Sequence, residues 1–185
     1  MSNATHFGEE YLHRMIRDLG HPGLIRLISE IDDNGPLQRR MPRRTLADLS
    51  RHQVQAGLEM AGQHGLVGSH SLSGEPCYVL TDAGTDLADI YDTLARWARA
   101  HDYPERSCDF VTRIQATLTL LNGPLVQNVP TDAGTRPPPS VQALSDADFI
   151  PTAEAVLALQ GPWAAFVQWV QTHAPTTGAE LDRAA

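Results

Sequence analysis

The sequence predicts a mainly α-helical chain carrying one small β-hairpin and a helical extension beyond it. Three features predict this. Apolar residues recur at intervals of three and four through most of the chain, the spacing of a helix with one buried face. Only the stretch from Leu66 to Leu80 reads as two short extended runs about a turn-rich tip. Glycine and proline stand where those helices would have to stop.

The first helix runs from Glu9 to Leu19, with Leu12, Met15, Ile16 and Leu19 on one face, and Gly20-His21-Pro22 ends it and starts the next. The second carries Leu24, Leu27, Ile28 and Ile31 and is closed by Asp32-Asp33-Asn34-Gly35-Pro36. From Pro36 to Val67 the pattern is a helix, a tight turn and another helix. Ser50 is placed to cap the latter, residues 51 to 63, whose buried face is Val54, Leu58 and Ala61 and whose end is Gly65. Leu66 to His70 and Cys77 to Leu80 then flank Ser71 to Pro76 as a hairpin.

Thr81-Asp82-Ala83-Gly84 opens a long helix, 82 to 101, in which Ala83, Leu87, Ile90, Leu94, Trp97 and His101 follow at intervals of 4, 3, 4, 3 and 4. Such a seam buries against a partner helix or against the chain's own core, and Leu87, Ile90, Leu94 and Trp97 are the candidate dimerisation residues. Beyond Pro104, Phe110, Ile114, Leu118 and Leu121 predict a helix from Cys108 to Leu121. Residues 128 to 140, with Pro130, Gly134 and Pro137-Pro138-Pro139, read as an extended linker. Helical segments follow around Ala153 to Leu159 and Trp163 to His173, the second with Trp163, Phe166, Val167 and Val170 on one side. Two regions result, 1 to 104 and 105 to 185.

Three short echoes recur within the chain. Asn34 to Leu37 returns as Asn122 to Leu125, Thr81 to Thr85 as Thr131 to Thr135, and the Trp-x-x-x-His of Trp97 and His101 as Trp169 and His173. Their offsets, 88, 50 and 72, disagree, which leaves a decayed second copy and coincidence both open.

With 185 residues and 42% apolar composition the chain can bury a core. No stretch approaches the roughly 18 apolar residues of a membrane span, and the polar start from Met1 to Glu10 lacks a signal-peptide pattern, which predicts a cytoplasmic protein with no membrane partner. Cys77 and Cys108 suit neither a disulfide framework nor a metal knuckle. The eight histidines include no HExxH, so no metal or cofactor is expected. A Ser-His-Asp order, a phosphate-cradling glycine loop and paired carboxylates are all missing, and an enzyme is not the expectation.

Charge is segregated. The net −8 lies wholly in residues 71 to 185, with six Arg against fourteen acids, whereas residues 1 to 70 hold eight of each. Between 36 and 51, Arg39, Arg40, Arg43, Arg44 and Arg51 face only Asp48, five cations against one anion for a local +4.

An ordered series runs through this region: Gly35-Pro36, Leu49-Ser50-Arg51, Leu58, Gly65-Leu66-Val67, Pro76, then Tyr78-Val79-Leu80-Thr81-Asp82-Ala83-Gly84, Leu87 and Trp97. It resembles the HxlR family of winged helix-turn-helix regulators over about residues 9 to 104, and its Tyr-x-Leu-Thr-x-x-Gly element is shared with MarR-type and PadR-type relatives. The resemblance implies a DNA-binding transcriptional regulator acting as a homodimer on a pseudo-palindromic operator. Residues 51 to 63 would be the recognition helix. On it Arg51, His52, Gln53 and Gln55 would reach base edges, while Arg39, Arg40, Arg43 and Arg44 would grip phosphate. Ser50 would serve both as cap and as phosphate contact.

Departures from the family pattern matter. Pro42 requires the first helix of the motif to be shortened or to begin there. The wing tip, His70 to Pro76, holds Glu75 and no basic residue. Leu24 and Ile25 occupy the neighbourhood of the redox-sensing positions of some members, so thiol sensing does not carry over. A wing without basic residues and an acidic second half favour an alternative: a winged-helix protein that has lost DNA binding and serves as a small-molecule-binding or protein-interaction module. In the regulator reading, the aromatic residues of the C-terminal part would complete the dimer or line a pocket for an unidentified small-molecule effector.

Overall fold

The computed structural model describes residues 3–40, 42–123 and 152–173, with side chains from Glu10 onward. The elements, in order, are α1 (Asn3–Leu19), α2 (Pro22–Asn34), β1 (Leu37–Gln38), α3 (Pro42–Thr45), α4 (Arg51–Gln63), β2 (Val67–Leu72), β3 (Glu75–Leu80), α5 (Asp82–Ala100), α6 (Phe110–Leu121), α7 (Ala153–Ala158) and α8 (Gln160–His173). The chain is thus mainly helical with a small antiparallel sheet. The sheet has three strands, in the order β1-β3-β2, one more than the hairpin expected. The linker expected at 128 to 140 lies outside the described residues. Among those described, no helix is long and apolar enough to cross a membrane.

Helix α2 is the centre of the core. Leu24, Ile25, Leu27, Ile28 and Ile31 are all buried, a broader face than a single stripe. Each fully buried side chain of this size contributes on the order of 2 kcal/mol from removed apolar surface. His21 caps the helix, its Nδ1 accepting from Gly23 N at 3.1 Å, and Pro22 begins it. The end of α1 is held from two sides: the buried Tyr91 hydroxyl donates to Leu19 O at 2.6 Å, and Gln115 Nε2 donates to Gly20 O at 2.8 Å.

The hairpin pairs from Val67↔Leu80 to Leu72↔Glu75, so its ladder runs closer to the tip than the Ser71 to Pro76 turn expected. Ser73 and Gly74 make the two-residue turn, with φ of 53° and 84°. Both angles lie in the left-handed region, which lets such a turn match strand twist. The edge strand β1 adds Leu37 opposite Tyr78 and Gln38 opposite Cys77.

Thr81 links this sheet to α5. Its hydroxyl donates to Gly65 O at 2.7 Å and accepts from Gly84 N at 3.2 Å, capping the helix. Gly84 is required by packing, because a Cβ there would stand 2.1 Å from Leu66 O. The Thr-x-x-Gly of the sequence is therefore one cap and one close backbone approach.

The seam of α5 is filled within the chain. Leu87, Ile90, Leu94 and Trp97 all lie in its single core cluster, with α6 and α8 packed along α5. Of the two readings of the seam, the structure of the single chain has these four side chains in its own core. Helix α6 starts at Phe110 rather than Cys108 because Asp109 caps it, accepting from Thr112 N at 2.7 Å. On α8, Phe166 and Val170 are buried as expected, but Trp163 and Val167 are half-exposed and Trp169 takes the inner position.

Candidate nucleic-acid interface

The cationic stretch is carried by the end of β1, by α3 and by the first turn of α4. Pro42 resolves its own conflict by opening α3, which is one turn of four residues and packs against both β1 and α4. Leu46, 1% exposed, pins the connection to the core, and Leu46 N donates to Pro42 O at 2.8 Å. Arg43 and Arg44 point outward on this short helix.

Helix α4 begins at a complete capping box. Gln53 N donates to Ser50 Oγ at 3.2 Å and Ser50 N donates to Gln53 Oε1 at 2.9 Å. Two consequences follow for the expected site. Ser50 keeps its hydroxyl hydrogen to donate outward, so cap and phosphate contact are compatible. Gln53 is half-buried and its amide oxygen accepts from the cap, which gives it a structural role that Arg51 and His52 do not share. Arg51, His52 and Gln55 are exposed, with Gln55 Nε2 donating to Glu59 Oε1 at 2.9 Å.

The attitude of α4 is set by a backbone contact with α2. A Cβ on Gly57 would lie 2.5 Å from both Gly23 C and Gly23 O, and one on Gly23 would lie 1.9 Å from Gln53 O. The two helices cross with nothing but hydrogen between them. Sequence reasoning missed this, although an isolated glycine inside a helical stretch is a signal for close approach. The crossing also brings His21 beside His52. Burial first, and the neighbouring His52 second, hold the His21 imidazole below its ordinary range. That agrees with its Nδ1 acting as an acceptor.

The arginines differ in what occupies them. The Arg39 guanidinium carbon stands 5.1 Å from the ring centroid of Tyr78, and its backbone N donates to Pro76 O at 3.0 Å, which fixes it to the sheet. Arg40 Nη1 lies 3.4 Å from Glu75 Oε2, so the one acid of the wing tip leans on one member of the cluster. Both side chains of that pair are well exposed and the contact contributes little. Arg43, Arg44 and Arg51 make no ion pair with a described residue. Asp48, the single acid among them, accepts from Arg26 Nε at 3.1 Å, and Arg26 Nη1 also donates to Glu30 Oε2 at 2.7 Å. Its charge is thus answered from α2.

His64, just past the end of α4, is half-buried, with Nε2 3.4 Å from Asp18 Oδ2. His70 is exposed on the wing. Leu72, at the wing tip, is 53% exposed.

From Asp48 and Arg26 at the edge of this surface, a cleft of about 450 Å³ runs between α2, α5 and α6, lined also by Asp32, Asp33, Asp92 and Asp109. Burial, then Asp33, Asp92 and Asp89, push the Asp32 carboxyl up from its ordinary range. Among the described residues no group of His, Cys, Asp and Glu is arranged to hold a metal ion. No protein-family model, no curated protein and no solved structure matches the chain.

Proposed function

We propose that the chain is a winged helix-turn-helix transcriptional regulator that lays α4 in the major groove of double-stranded DNA. In this reading α2, α3 and α4 are the three-helix core and β2–β3 is the wing. The observation that carries it is the exposure of Arg43, Arg44, Arg51 and His52 around one capped helix N-terminus, with the three arginines making no ion pair with a described residue. A helix of 13 residues is about 20 Å long, and its diameter with side chains, about 10–12 Å, fits a groove about 12 Å wide. Arg51 and His52 sit at its leading end, where base edges are met, with Gln55 one turn on; Arg39, Arg43, Arg44 and the Ser50 hydroxyl face phosphate. The dimer of long helices expected from the sequence is not part of the proposal, because Leu87, Ile90, Leu94 and Trp97 lie in the chain's own core.

The test is fluorescence anisotropy with random and genomic duplexes across a salt series. Affinity should fall steeply with salt, since neutralised phosphates release counterions. Absence of binding at low salt, together with no effect of Arg43→Ala/Arg44→Ala, overturns the reading.

The acidic cleft favours a second reading, a small-molecule-binding module that no longer engages DNA. Its volume of about 450 Å³ is in the range of ligand sites. The two readings separate in the same experiment, because the second leaves the salt series flat.

A further inference from the structure

We infer that α7 and α8 are a divergent second copy of α5 that closes, within one chain, the face α5 would otherwise offer to a partner, so that the protein works as a monomer with one α4 per particle. The last clause rests on the proposed function; the helix pair does not.

The sequence offset of 72 maps Ala83 onto Ala155, Leu87 onto Leu159, Leu94 onto Phe166, Trp97 onto Trp169 and His101 onto His173. Burial follows the same map at the three large apolar pairs. Leu87 and Leu159 are 0% exposed, Leu94 and Phe166 are 0%, and Trp97 and Trp169 are 6% and 4%. Each tryptophan also meets its histidine alike, with ring centroids 5.1 Å apart for Trp97 and His101 and 4.9 Å apart for Trp169 and His173.

The decisive feature is reciprocity. Trp97 Nε1 donates to Ala155 O at 2.9 Å, and Trp169 Nε1 donates to Ala83 O at 3.0 Å. Ala83 and Ala155 are themselves partners under the same offset. Exchanging the two segments therefore turns one hydrogen bond into the other, which is what a two-fold, isologous contact does. Two unrelated helices packed together have no reason to do this. The pairing runs antiparallel: the C-terminal end of α5 meets the start of α7, and the C-terminal end of α8 meets the first turn of α5.

Divergence is visible too. Pro162 stands where α5 has Ile90, and a proline inside a continuous helix would remove a hydrogen bond and clash one turn back. The second copy is accordingly broken into two helices at Leu159, with Pro162 in the first turn of α8. The other two echoes of the sequence, at offsets 88 and 50, reach residues 124 and 125 and 131 to 135, outside the described ones.

The experiment is sedimentation velocity of the full chain without DNA, from about 1 to about 100 µM. The expected result is the mass of one chain throughout, and a two-chain species in that range overturns the inference whatever DNA does. With a bound duplex added, one chain per α4 site is expected. If no duplex binds while the free mass is that of one chain, the DNA reading fails and the helix pair stands. Trp97→Phe and Trp169→Phe each remove one of the two symmetry-related bonds, and comparable falls in melting temperature are expected. A fall confined to one of them overturns the equivalence of the copies.

Discussion

Replacing Gly57 with alanine tests the crossing that sets the pose of α4. In an ordinary exposed helix this change gains about 1 kcal/mol of helix propensity. Here the new Cβ would stand 2.5 Å from Gly23 C and O and 2.9 Å from Leu24 N, all backbone atoms that cannot rotate away. Restoring contact at 3.4 Å requires α4 to retreat by about 0.9 Å, which loosens Val54 and Ala61 from the core. Overpacking of this kind costs up to about 3 kcal/mol. The net is a loss of about 2 kcal/mol, or a melting temperature lower by about 4–8 °C for a chain of this size. Gly62 is the control on the same helix. A Cβ there meets nothing within 4 Å, so Gly62→Ala raises the melting temperature, by at most the propensity gain. Thermal unfolding followed by circular dichroism reads both. A Gly57→Ala variant as stable as the parent refutes the backbone crossing, and with it the account of how α4 is held.

The remaining predictions concern the site and its titration. Arg43→Ala/Arg44→Ala lowers the slope of log affinity against log salt by about 2, at about 0.9 per phosphate contact, with the fold intact; an unchanged slope excludes them from the phosphate surface. Gln53→Ala costs about 1 kcal/mol of stability through the lost capping box, whereas Gln55→Ala leaves the melting temperature in place and alters only binding; the reverse pattern, read by calorimetry and anisotropy, restores Gln53 to base reading. His21 is held below its ordinary range, so the unfolded chain takes up the proton at a higher pH than the folded one. Its contribution is present above the unfolded value of about 6.5 and is lost as pH falls from there through the lower folded value. His21→Asn keeps a capping side chain and should flatten the fall in melting temperature from about pH 7 to about pH 5; an unaltered pH profile shows that His21 is not held neutral. Asp32 is shifted the other way, so its charge weakens the fold at neutral pH. Asp32→Asn raises the melting temperature at pH 7, and that gain vanishes as pH falls through the carboxylate range; a lower melting temperature at pH 7 contradicts the crowding of carboxylates in the cleft.

What could be read from the sequence was what local chemistry decides. Ser50 and Thr81 mark helix starts through side-chain bonds to the residue three positions on, and Pro22 through its fixed φ at the first helical position; each does so in the structure. The bounds of α4 and the start of α3 at Pro42 came from the same kind of rule. Contacts between residues distant in sequence were not legible. Strand β1 is two residues long, too short for any periodicity, and exists only because Leu37 finds Tyr78. The seam of α5 has the same spacing whether its occupant is another molecule or the same one. That occupant is reached by bonds spanning 58 and 86 residues, and the one sequence signal for it, the Trp-x-x-x-His echo at an offset of 72, says that the segments are alike and not that they touch. Gln53 is a different case, because Ser50 and Gln53 already spell a capping box in the sequence.

The net charge of −8 and the proposed DNA-facing surface are compatible because of distance and screening. Gly23 lies against the first turn of α4, and Asp32 is nine residues further along the same helix, about 13 Å at 1.5 Å per residue. The Debye length is about 8 Å at physiological ionic strength, so the carboxylates at that end of α2 are largely screened from the arginines around α4. At 0.01 M salt it is about 30 Å, and a phosphate approaching α4 then meets the whole acidic chain as well as the cationic turn. Two opposing salt dependences follow. Counterion release favours binding as salt falls, while repulsion from the acidic end grows. The affinity curve should therefore flatten below about 0.05 M instead of continuing to climb, and neutralising Asp32 and Asp33 should restore the climb without changing the slope at higher salt.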